Sequence, residues 1–74
     1  MDSKVYYSIV SDAWKFFRKW YEKPELTGID WNDIVNEANA AVKAYRGQQI
    51  ERYVADTYNT AVSELERVKH DGTV

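Results

Sequence analysis

The chain has no cysteine, one histidine, one proline and three glycines in 74 residues. Without thiols there is no disulfide framework and no thiolate metal site, a composition that suits a reducing cytoplasm, the expected location. His70, the only histidine, falls in a C-terminal segment, 70–74, that is expected to fray. No Gly-rich phosphate loop occurs, nor any cluster with metal-ligand spacing. No run approaches the ~20 apolar residues of a membrane span, and Met1-Asp2-Ser3-Lys4 leads into an amphipathic helix rather than a signal-peptide core. Internal repeats and low-complexity tracts are lacking too. These absences remove the parts from which an active site is assembled. The expectation is a non-enzymatic protein with no cofactor, no bound metal and no membrane insertion.

What the sequence has in excess is aromatic side chains. It carries 3 Trp, 6 Tyr and 2 Phe, and most of them fall between Tyr6 and Tyr21. At about 100° per residue, Val5, Phe16, Ile9, Trp20, Ala13, Tyr6, Phe17, Val10, Tyr21, Trp14 and Tyr7 follow one another round a helix. They form one apolar arc of roughly 200°, about twice that of an ordinary surface helix. The adjacent pairs Tyr6-Tyr7 and Phe16-Phe17 exclude the period of two that a strand needs.

A chain of this length holds one domain and buries only about 60% of the surface its unfolded form exposes. Its periodicity predicts an all-α, antiparallel three-helix bundle with helices at about 3–22, 31–46 and 48–69. Asp2 or Ser3 is the expected first N-cap, and Pro24 biases Lys23 out of helical geometry. The second helix is expected to start with Asp30 as N-cap, Asp33 three residues on and Ile29 stapled to Ile34, and to stop at Gly47. Its inner arc is Trp31, Ile34, Val35, Ala38, Ala41, Val42 and Tyr45, where the two small alanines leave room for rings of the first helix. The third helix has the inner line Ile50, Val54, Thr57, Ala61, Leu65 and Val68, with Tyr53, Tyr58 and Val62 at its margins. Glu64 is expected to reach solvent or Arg67.

Net charge is −2, yet Lys4, Lys15, Arg18 and Lys19 gather on the polar face of the first helix, followed by Lys23. Bases and rings alternate in Trp14-Lys15-Phe16-Phe17-Arg18-Lys19-Trp20-Tyr21, which opens three readings. A nucleic-acid surface wants bases and rings on one face; here they lie on opposite arcs of an acidic chain, which weakens phosphate attraction. A membrane-surface helix wants the opposed arrangement, but the second and third helices need the first as their core partner. The core reading covers Ile9, Ala13, Trp20, Tyr6, Phe17 and Val10 and leaves two flanks, Val5 with Phe16 and Tyr7 with Trp14. Those four, with the bases Lys15, Arg18 and Lys19, are the candidate partner-binding residues; the bland alternative is that the rings lie along helix grooves with their polar tips in water. A second candidate surface is the stripe Asn32, Asn36 and Asn39 with Lys43 and Arg46, since Asn is a poor helix former. Asp30, Asp33 and Glu37 share a side of the second helix, but without a calcium-loop pattern they read as acids that complement the helix N-terminus.

Asp12-Ala13-Trp14-Lys15 with Phe16-Phe17, Asp30-Trp31 followed by Ile34-Val35-Asn36-Glu37-Ala38, and Glu64-Leu65-Glu66-Arg67 together give a chain that resembles the short, mostly uncharacterised all-helical proteins of Gram-positive bacteria, their phages and other mobile elements. That resemblance implies a small accessory protein that acts by binding, including inhibitors of host or phage proteins, and implies no activity and no site residues. The expected function is binding of an unidentified protein partner through the flanks of the first helix. A homodimer that buries the aromatic flank is the alternative, and weak nucleic-acid binding through the basic face ranks third.

Overall fold

The computed structural model describes residues 3–71, which form α1 (Ser3–Tyr21), α2 (Gly28–Lys43) and α3 (Glu51–Asp71), with no strand among them. The three make the expected all-α bundle. α3 packs closely against both α1 and α2. α1 and α3 run the same way, with Tyr6 against Tyr53 at one end and Tyr21 against Lys69 at the other. α2 runs back antiparallel to both, Glu37 beside Lys19 and Asp30 beside Lys23. The Cα trace measures 43 × 20 × 15 Å, and with helices about 10 Å across such a thin body leaves each helix an outward side.

Helix boundaries depart from expectation at the caps. α1 begins at Ser3; Asp2 lies outside the described residues. α2 starts three residues before position 31 because Thr27, not Asp30, is its N-cap. Thr27 is extended (φ −82, ψ 172). Its hydroxyl accepts from the Asp30 N–H at 3.2 Å, and its own N–H donates to Asp30 Oδ2 at 3.0 Å. Asp30 is therefore the third helical residue of a reciprocal capping box. The backbone bond from Thr27, and then the Lys23 ammonium at 3.0 Å, hold the Asp30 carboxyl below its ordinary range. Ile29 becomes an exposed first-turn residue instead of a staple to Ile34.

α2 also ends early, at Lys43, with Ala44 as C-cap. Tyr45 N–H donates to Val42 O at 3.0 Å and Arg46 N–H to Lys43 O at 3.1 Å, tightening the exit. Gly47, at φ 83, then turns the chain from inside the loop rather than at the helix stop. Gln48 and Gln49 belong to that loop. α3 begins at Glu51 and its backbone stays helical through His70 to Asp71, beyond the point where fraying was expected; residues 72–74 lie outside the described residues.

The core consists of Ile9, Ala13, Phe16 and Trp20 from α1, Ile34 and Ala38 from α2, Ile50 at the loop exit, and Val54, Tyr58 and Leu65 from α3. Two expectations for α1 are corrected. Phe16, expected on an open flank, is 5% exposed, its ring 5.2 Å from that of Tyr58, and Val5 packs against the same core. Tyr6 and Val10, expected under cover, are exposed. The buried strip lies toward the Phe16 side because α2 meets α1 there, through Lys19 and through Trp20 Nε1, which donates to Glu37 at 3.4 Å. α3 shows a matching rotation: Tyr58 is buried while Thr57, expected inside, is half-buried. Burial, and then the charges of Asp12 and Glu37, push the Tyr58 phenol up.

Candidate functional site

The rotation of α1 leaves the opposite side of its arc open. Tyr7 is 76% exposed, Trp14 59%, Tyr21 52% and Val10 47%, with Phe17 half-buried among them. Trp14 and Phe17 stack at 5.9 Å and 23°, and Phe17 and Tyr21 at 5.5 Å and 18°. Three rings thus run along the helix as a ridge, at spacings aromatic pairs favour. Tyr6 sets its edge on Tyr53 at 4.9 Å near the start of the ridge. At its end, Lys69 Nζ donates to the carbonyls of Tyr21 at 2.8 Å and Lys23 at 2.6 Å, and lies 5.3 Å from the Tyr21 ring centre.

Beside the ridge is a shallow groove of about 300 Å³ between α1 and α3, where Val10, Trp14 and Phe17 face Thr57, Thr60 and Ala61. The hydroxyls of Thr57 and Thr60 donate to the carbonyls of Tyr53 at 2.7 Å and Asp56 at 2.8 Å. With those donors satisfied inside α3, the groove is apolar in effect. Glu64 stands at its rim, tied to Arg67 Nε at 2.9 Å, and that guanidinium holds the carboxyl below its ordinary range. At the outer edge of α1, Arg18 Nε donates to Glu22 at 2.9 Å, which raises the Arg18 pKa.

The spacing of the open residues is informative. Tyr7, Val10, Trp14, Phe17 and Tyr21 follow one another at 3, 4, 3 and 4, the repeat by which helices pack on helices. The buried residues Ile9, Ala13, Phe16 and Trp20 show the same alternation shifted by one position. α1 therefore carries two packing seams about 100° apart; α2 and α3 fill one, and the other is open except at half-buried Phe17. The sequence carries this signal, but the two seams merge in one broad arc on the helical wheel, which puts Val10 under cover and Tyr21 outside the candidate flank.

The other candidates are scattered. Phe16 belongs to the core, and half-buried Val5 packs against it. Lys15, Arg18 and Lys19 are exposed, and Lys19 is bound to Glu37 at 2.5 and 2.7 Å. Asn32, Asn36 and Asn39 are exposed on α2; Asn39, Lys43 and Arg46 line a cleft with Val42 and Glu51 beside the α2–α3 loop, and Asn32 and Asn36 stand outside it. Asp30 and Glu37 face cations of this chain, and among the described residues no three of His, Cys, Asp or Glu converge as metal ligands. No helix among them is long and apolar enough to cross a membrane.

No protein-family model matches this chain, and neither do the curated proteins or the solved structures.

Proposed function

We propose that this protein acts by binding protein, without catalysis, and that its binding surface is the open seam of α1 with the adjoining groove. The observation that carries this reading is the exposure of Tyr7, Val10, Trp14 and Tyr21 on one helix at helix-packing spacing. Scattered apolar residues are ordinary on a surface, but a contiguous aromatic patch is typical of interaction sites, and Trp and Tyr dominate their binding energy. The spacing specifies the mode, an amphipathic helix laid into a groove. From Tyr7 to Tyr21 the seam is roughly 21 Å long, about four helical turns. A nucleic-acid reading has less support, because Arg18 and Lys19 are engaged by Glu22 and Glu37.

The test is photo-crosslinking in cells that make the protein, with benzoylphenylalanine in place of Trp14 and, separately, of Asn36. Protein adducts from position 14 and none from position 36 are expected. A folded variant that yields no protein adduct at position 14, with itself or any other chain, would overturn the reading.

A further inference from the structure

We infer that the helix received by this seam is the same seam of a second copy, so that the protein is a two-fold homodimer through α1 and α3. This rests on the helix-docking reading and names its partner.

A two-fold interface requires each surface to complement itself: where residue i meets j, j must meet i. The open face has both halves of such a fit. Trp14 and its stacked neighbours make a ridge on α1, and the groove beside it is walled on the α3 side by the small residues Thr57, Thr60 and Ala61. A two-fold axis running along the helices seats the ridge of each copy in the groove of the other. α1 of the second copy then occupies the place of a fourth helix, on the side of the α1–α3 pair away from α2.

Charge agrees with that axis. Within one copy, Tyr6 is level with Tyr53 and Tyr21 with Lys69, so Arg18 stands at the height of Glu64. Rotation about the axis turns the outer edge of α1, which carries the Arg18–Glu22 pair, toward the rim of α3 in the other copy, which carries the Glu64–Arg67 pair. Arg18 of one copy comes over Glu64 of the other, and Glu22 over Arg67. Opposite charges meet at the rim, and the centre of the contact is uncharged.

The area is sufficient. Scaling about 150–250 Å² per aromatic side chain by the exposures of Tyr6, Tyr7, Trp14 and Tyr21 and adding Val10 gives on the order of 600 Å² per copy. With all of that surface covered, the dimer total, on the order of 1,200 Å², lies at the lower end of specific interfaces.

Sedimentation equilibrium of the full chain up to about 100 μM tests this. The wild type is expected to dimerise, and Trp14→Ala to weaken the dimer by roughly 30-fold or more while keeping its helical circular dichroism. Arg18→Glu and Glu64→Arg are each expected to weaken it, and the two together to restore it. A monomer throughout that range would overturn the inference, as would a dimer indifferent to Trp14→Ala or a charge swap that fails to rescue. A monomer whose position 14 still cross-links to another protein would overturn the dimer and leave the helix-docking reading standing.

Discussion

Glu37 of α2 holds Lys19 of α1 with both carboxylate oxygens, at 2.5 and 2.7 Å. The contact matters because the close helix approaches in this molecule are those made by α3, so α1 and α2 depend on long side chains to reach each other. Trp20 joins the contact, its indole N–H pointing at Glu37 Oε2 from 3.4 Å. Since the ion pair is more than a third exposed, solvent screens most of its Coulomb energy. Glu37→Ala, which also removes the acceptor of a buried indole, should lower stability by about 1 kcal/mol, and Lys19→Ala by less than about 0.5 kcal/mol. Urea melts of the two variants check the order; equal losses would show that the indole bond contributes nothing.

The Thr27–Asp30 box makes a pH prediction whose sign is set by the depressed Asp30 carboxyl. A native pKa below the unfolded one contributes stability that is present above the unfolded value, near 4, and lost as pH falls through the native value. Acid melts of the wild type should therefore show this loss below about pH 4. Thr27→Ala should cost about 1 kcal/mol near neutral pH yet keep most of that acid limb, because the backbone N–H of position 27 and the Lys23 ammonium, which do most to hold the Asp30 carboxyl down, both remain.

Two glycines should respond in opposite directions. Neither Gly28 nor Gly47 has a heavy atom within 4 Å of where a Cβ would sit, so space does not separate them. Gly47 has φ 83 and Gly28 a helical backbone. Gly47→Ala should destabilise by about 1 kcal/mol through left-handed strain, whereas Gly28→Ala should stabilise by about 0.5 kcal/mol by restricting the unfolded chain. Thermal melts of the pair decide the matter.

Phe16 and Trp14 separate folding from binding on one helix. Phe16→Ala opens a cavity against Tyr58 and should cost about 3–5 kcal/mol, a large share of a total stability on the order of 4–11 kcal/mol. Trp14→Ala, measured at concentrations where the protein is monomeric, should change stability by less than about 1 kcal/mol. Denaturant midpoints of both variants, read beside sedimentation of the second, test the division.

Three helices, their order and most of the core were legible in the sequence, because a period of 3.6 in apolar residues is a local property that Ile9, Ile34, Val54 and Leu65 obey. The boundaries were less so. Thr27-Gly28-Ile29-Asp30 contains a capping box, but Asp30 is also a good N-cap residue, and only the backbone geometry decides which of the two residues leaves the helix. The candidate site was half legible: Tyr7 and Trp14 are exposed on the open seam, whereas Phe16 went into the core and Val5 packs against it.

What the sequence determined by itself is that α1 carries more apolar surface than two partner helices can cover, a consequence of eleven consecutive arc positions on one wheel. Which part of that surface stays open was decided by tertiary structure. α3 takes the Phe16 ring against Tyr58, while α2 reaches α1 through Lys19 and Trp20, whose side chains bridge to Glu37. Those two approaches fix the rotation of α1 about its own axis. No local pattern encodes that angle, because it is set by side chains from different helices, Lys19 and Trp20 with Glu37 and Phe16 with Tyr58.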